Sequence, residues 1–275
     1  MVSPRAGCPH PRYATSVRRA VILIAIAAAA CTPGPGTGES RSRPEIRLVD
    51  EDVSLLGTAI YESDLVSARA TDLAKPNIAK NAGVRGWVTT KTSDGWTVDF
   101  WAPGADGPES KYRVQFSGGH LTPRHAAVEP PAPLDADSIA MVRAVETAKK
   151  ARFPSCDRRY NHVVLPASMI GRDGWLVYLL AAHQRHGEVV IGGHARIHVS
   201  ADGTRILETY PLSKGCLIMP FEPGPAPNAI VTSTLVSDRP LETHVYISLL
   251  HKLPVFVSAG GKLWKIDEPV RGTGR

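Results

Sequence analysis

Four histidines crowd one short stretch of the chain, at His183, His186, His194 and His198, and two more follow at His244 and His251. Imidazole is the commonest ligand for a divalent metal and the usual general base near neutral pH, so metal or acid–base chemistry would sit here. The spacing weighs against a shared ion. If 189–200 is a single strand, His194 and His198 share a face but stand about 13 Å apart along it. His183 could meet His194 only in one hairpin register, which the sequence leaves open. The favoured reading is a polar strand face and turn, with no metal and no cofactor; a metal site on His183, His186, His194 and His198 is the alternative. HExxH, GxSxG, SxxK, the P-loop and a GxGxxG placed between strand and helix are all absent, so no catalytic residue is assigned. A triad of Ser, His and Asp gathered from distant strands would leave no such local trace.

The elements that must hold these histidines are two strands. Residues 175–182 are rich in aromatic and branched side chains, 184–188 have turn character, and 189–200 alternate from Gly193 onward. In the second strand Ala195, Ile197 and Val199 point one way and His194, Arg196 and His198 the other. The first set should pack and the second should be wet or functional.

Charge and cysteine set the compartment. The net charge is +6, but Arg5, Arg12, Arg18 and Arg19 lie within the first 30 residues, which hold no acid. The remainder carries only +2, which excludes a nucleic-acid footprint. Those arginines precede the apolar run 20–30, AVILIAIAAAA, which has the length of a signal-peptide core and is short for a membrane span. The run ends in Ala28-Ala29-Ala30-Cys31, which resembles the lipobox of bacterial lipoproteins. That resemblance implies a Cys31 that is acylated and becomes the mature N-terminus; Ala28 stands where the family prefers Leu, so ordinary small-residue cleavage stays open. Thr32 after the cysteine, in place of Asp, would by the same resemblance favour an outer membrane. Arg18-Arg19 also resembles a twin-arginine signal, although a paired arginine in such a region is more often simple positive charge. With Cys8 removed with the signal and Cys31 acylated, Cys156 and Cys216 are left as a pair in an oxidising compartment and are read as a disulfide stabilising the fold by about 4 kcal/mol. A cysteine nucleophile is the competing reading.

Residues 31–44 are Pro, Gly, Ser and charge, the composition of a flexible tether. From Asp52 to Ala74 the apolar spacing predicts a helix ended by Pro76. Short strands follow at 86–92, 95–102, 111–117 and 120–128. The Pro-rich segment 129–134 is the expected domain boundary. Asp137 then reads as the N-cap of a second helix stopped by Pro154, with strands at 161–165, 175–182, 189–200 and 205–212. Beyond Cys216, strands are expected at 229–236, 243–250, 254–258 and 262–266, and 272–275 as a frayed end. Trp87, Trp96, Trp101, Trp175 and Trp264 fall mostly on strands and are expected in the core. Arg158, Arg159 and Arg196 are expected on a solvated face.

The two halves read alike. SDGWTVDFWAP (93–103) answers RDGWLVYLLAA (172–182), and YRVQFSGG (112–119) answers ARIHVSADG (195–203), which points to an internal duplication. The stretch VSADGTRILE (199–208) resembles the end of a PepSY-type domain, and the helix-then-sheet order is similar to cystatin-like folds. That resemblance implies a non-catalytic interaction or inhibitory module of the bacterial envelope.

The expected fold is therefore α+β: a signal peptide over 1–30, a tether over 31–44, and two tandem units of a helix followed by a four-stranded antiparallel sheet. The units span 45–128 and 135–275, the second with a C-terminal β extension. The expected function is that of an exported, lipid-anchored cell-envelope protein with a non-catalytic binding role. Its partners would be the membrane, through the anchor, and another envelope protein. A metal-dependent or hydrolytic envelope enzyme using the histidine hairpin is the alternative.

Overall fold

The computed structural model describes residues 46–48, 50–78, 80, 82–117, 122–185, 188–220 and 228–266. The expected signal segment 1–30, Cys31, the tether 31–44, the C-terminal end 272–275 and His186 lie outside the described residues. The fold is α+β, with three α-helices and several antiparallel pairings. Among the described residues no helix is long and apolar enough to cross a membrane.

Helix α1 (Glu51–Ala74) buries Leu56, Ile60, Ser63, Ser67, Ala70 and Ala74, which recur every three or four residues on one face. It is followed by β2 (Gly86–Lys91), β3 (Gly95–Pro103), β4 (Pro108–Ser117) and β5 (Thr122–Pro133), an antiparallel sheet in that spatial order. The Pro-rich segment 129–134 is no break: most of it is the end of β5, with Ala132 opposite Ser110 and Pro133 opposite Glu109. A proline costs little there because β5 is an edge strand whose outer side needs no ladder donor.

Helix α2 (Ala136–Ala148) is capped by Asp135, whose carboxylate accepts from the Ser138 amide at 2.7 Å. The expected cap, Asp137, lies instead in the first turn, where a carboxylate favours the helix dipole. A second antiparallel sheet follows, in the order β10 (Ile206–Pro211), β9 (Ala195–Val199), β7 (Trp175–Ala181) and β6 (Tyr160–Pro166). The strand expected over 189–200 is two strands. Its first part, β8 (Glu188–Val190), leaves the sheet and pairs with β11 (Ile218–Pro220). The break falls at Gly192-Gly193. Gly193 has φ +83°, and a Cβ there would sit 2.3 Å from Cys156 Sγ, so only glycine fits both the backbone and the neighbour.

The C-terminal part holds β12 (Ile230–Ser233), α3 (Glu242–His251), β13 (Val255–Ala259) and β14 (Lys262–Ile266). With β1 (Ile46–Leu48) these strands form a mixed sheet in the order β1-β14-β13-β12, in which β12 and β13 run parallel across α3. The strand expected over 243–250 is this helix. Thr243 to Ser248 are all buried, so the run shows no polar face, and its Val, Tyr and Ile content mimics a strand.

The larger apolar clusters among the described residues hold these layers. The C-terminal half of α1 sets Val66, Ala70 and Ala74 on Val98, Phe100, Tyr112, Val114 and Phe116 of the first sheet. Helix α2 sets Val142, Val145 and Ala148 on Val177, Leu179, Ala195, Ile197 and Val199 of the second. The opposite face of the second sheet, with Leu176, Tyr178 and Leu180, meets Leu56 and Ile60 of α1, Val245 and Ile247 of α3, and Val255, Val257 and Ile266. Helices α1 and α3 approach closely at Gly57, where a Cβ would come within 2.4 Å of Val245 Cβ and 2.6 Å of the Glu242 carbonyl oxygen.

Candidate functional site

The structure scatters the histidines. His194 sits just past the Gly192-Gly193 break and is 2% exposed. The imidazole expected on a wet face is buried. Its Nδ1 accepts from the Ala181 amide at 3.0 Å, so Nε2 carries the proton and donates to the Val190 carbonyl at 3.1 Å. Burial lowers its pKa to about 4, and the ring is neutral at pH 7. His198 Nε2 donates to the Asp173 carbonyl at 2.8 Å. His183 is exposed, with Nδ1 at 2.8 Å from the Glu188 carbonyl oxygen and its ring 5.6 Å from that of His251. His244 is buried in the first turn of α3, where Nδ1 accepts from the Leu241 amide at 2.9 Å; burial brings its pKa to about 4 as well. Among the described residues no three His, Cys, Asp or Glu side chains are grouped as they would be around a metal ion.

Cys156 and Cys216 form a disulfide with their Cα atoms 5.1 Å apart. The bond ties the loop after α2 to the segment leading into β11. Arg196, expected on a solvated face, is drawn into a buried network. Its Nη1 lies 2.6 Å from Glu242 Oε1, which also accepts from the Tyr178 hydroxyl at 3.1 Å, and the guanidinium stacks 4.9 Å from the centre of the Tyr210 ring. Glu242 is 3% exposed, and burial beside it pushes the Tyr178 phenol well above its usual range. Arg158 is likewise held, between the Ala182 carbonyl and Glu188. The contacts of Arg196 and Tyr178 with Glu242 fix α3 to the second sheet.

A wider groove among the described residues lies elsewhere. A groove of about 620 Å³ runs between α1, α2 and the neighbouring edges of the two sheets. Its walls are Leu55 and Ala59 of α1, Met141 of α2, Thr89 and Thr90 of β2, Val164, Leu165 and Pro166 of β6, and Met169 after it. Trp96 and Trp175 also line it, both half-buried, so they are groove walls as well as packing side chains. Charge is confined to Glu51 and Glu62 of α1, Asp137 of α2 and Lys91 of β2. Lys91 Nζ is 2.9 Å from Glu62 Oε2 and 5.1 Å from the centre of the Trp96 ring. No described histidine or cysteine lines the groove.

A stacked pair of rings bridges the two sheets. The Trp87 and His162 rings lie 4.4 Å apart at 21°, and His162 Nε2 donates to the Trp87 carbonyl at 3.2 Å. Burial lowers the His162 pKa to about 4, so this ring too is neutral. A volume of this size with apolar walls and a few charged groups is what a small-molecule site offers. Reading tryptophans one by one as core missed it. The available signal was the repeat itself, because Asp94-Gly95-Trp96 and Asp173-Gly174-Trp175 place the two indoles at matching points of matching segments.

Compared with known proteins, the chain matches no family model, no curated protein and no solved structure.

Proposed function

We propose that this is an exported, lipid-anchored envelope protein with a non-catalytic binding role, and that the groove between α1, α2 and the two sheets is its binding site. The observation that carries the reading is the groove: apolar walls with two tryptophans, and charged groups drawn from helices and strand ends. The buried histidines are engaged with backbone atoms and serve the fold. The anchor rests on the signal-like N-terminus and Cys31.

The reading includes an internal duplication of a helix-and-sheet unit of the PepSY or cystatin-like kind. Pairing registers support it. Trp96, Val98 and Phe100 stand opposite Phe116, Val114 and Tyr112, while Trp175, Val177 and Leu179 stand opposite Val199, Ile197 and Ala195. One more strand out, Trp87 faces Phe100 and His162 faces Leu179, so the stacked rings are counterparts in the two sheets. Thr89 and Val164, Lys91 and Pro166, and Trp96 and Trp175 are counterparts too, and all six line the groove. Contact between equivalent surfaces is how two copies of one unit close on each other.

Titration of the mature protein with an uncharged naphthyl fluorophore tests the site. Saturable binding of about one dye per chain is expected, weakened at least about tenfold by Ala59→Trp, which fills the groove from α1. A wild type without saturable binding, or a variant that binds as well, would overturn the reading. Cys31→Ser should move the protein from membranes to the soluble fraction, and a variant that stays membrane-bound would remove the anchor.

A further inference from the structure

We propose that the Trp175 end of the groove is a cation site, and that the occupant is a small amphiphile with an apolar body and one positively charged head. The proposal rests on the reading of the groove as a binding site and adds the charge of its ligand. The Trp96 end shows how such a site is built here, because the protein fills it from within. Lys91 Nζ stands over the Trp96 ring, 5.1 Å from its centre, and pairs with Glu62 at 2.9 Å. An indole face attracts a cation through its quadrupole, and a carboxylate nearby supplies the counter-charge.

The Trp175 end has the same two parts without the third. Trp175 lines the groove, its Nε1 donating to the Ala201 carbonyl at 2.9 Å, which fixes the indole plane. Asp137, in the first turn of α2, lines the same groove and is the carboxylate such a site would use, as Glu62 of α1 is used beside Lys91. Opposite Trp96 on the neighbouring strand is Lys91, but opposite Trp175 is Pro166, which carries no charge. Glu51 adds a further carboxylate. The groove's charged lining is thus three carboxylates and one ammonium, a net −2, and the ammonium is already paired with Glu62. An anionic head would enter against this charge, whereas a cationic head would complete the Trp175 end as Lys91 completes the other. Leu55, Ala59 and Met141 offer the apolar body its contact.

The test is calorimetric titration of the mature protein with decyltrimethylammonium below its micelle concentration, beside decyl sulfate and decyl maltoside. The cation should bind about tenfold more tightly than the sulfate and severalfold more tightly than the maltoside, a preference that shrinks with salt. Asp137→Asn and Trp175→Leu should each weaken the cation about fivefold, and a melting temperature of Asp137→Asn equal to that of the wild type shows that the variant is folded. Equal binding of all three head groups, or a cation preference that survives Asp137→Asn, would overturn the cation site and leave an apolar groove. Binding of none would remove the groove as a binding site, and this proposal with it.

Discussion

The outer faces of the two sheets, those turned away from the helices that follow the same register, differ in what covers them. In the first sheet this face carries Asp99 and Arg113 in opposed positions, paired at 2.7 Å, with Arg113 41% exposed and Gln115 next to it in solvent. In the second sheet the corresponding positions are Tyr178, Arg196 and His198, and α1, α3 and the mixed sheet lie over that face. The arginine is present in both. Where solvent reaches it, a carboxylate on the next strand suffices. Where a third layer covers it, the counter-charge comes from that layer as Glu242, and the strand position becomes an aromatic that packs and donates a hydrogen bond. The same strand register thus supports an open sheet and a buried one, with the difference carried by a few outward side chains.

Removing the two counter-charges should break the likeness most sharply. Glu242→Ala leaves Arg196 and the Tyr178 hydroxyl buried without their acceptor and should cost about 3–5 kcal/mol. Asp99→Ala frees an arginine that water already reaches but leaves the buried Ser110 hydroxyl, which donates to Asp99 Oδ1, without its acceptor, and should cost about 1–2 kcal/mol. Urea denaturation of both variants measures the difference; equal losses would mean that the third layer does not control the energetics of the second sheet.

Acid should also separate the regions. His162, His194 and His244 have folded pKa values near 4, and each touches or borders the second sheet. In the unfolded chain they titrate near 6.5, so between about 6.5 and 4 the unfolded state binds more protons and stability falls as pH falls. The stabilisation is fully present above pH 6.5 and is lost as pH drops through 4. Each group contributes on the order of 3 kcal/mol across that window. Melting temperature measured from pH 7 to pH 4 should fall steeply, and His194→Gln should flatten the slope by about one third. A melting temperature independent of pH over this range would contradict neutral buried imidazoles.

Much of this architecture is readable in the sequence where a segment has one buried face. Helix α1 begins within one residue of its expected start, and β14 matches its expected bounds, because apolar spacing and flanking turns agree there. The signal fails where burial is all-round or the partner is remote. Helix α3 lost its periodicity to burial on every side. The prolines of 129–134 read as a break because an edge position cannot be seen before the sheet is assembled. His194 lay beyond local reasoning for a related reason: elements remote in sequence, α1, α3 and the mixed sheet, cover the side of the second sheet that the strand pattern alone leaves open. The groove was legible only as a repeat, since Trp96 and Trp175 line it from two sheets that no local pattern brings together.

The smallest expected effect tests how far the cover over the second sheet extends. His198 and Gln115 hold corresponding positions, one and two residues in from where β9 and β4 end their pairing with β7 and β3. Gln115 is exposed, so Gln115→Ala should change stability by no more than about 0.5 kcal/mol. His198 is half-buried and donates to the Asp173 carbonyl at 2.8 Å, bracing the turn that presents Trp175. His198→Ala loses that bond and should cost about 1 kcal/mol. The asymmetry is small but directional, and denaturant midpoints of the two variants resolve it. If His198→Ala costs no more than Gln115→Ala, the cover ends at Arg196 and the turn beneath Trp175 holds without help from β9.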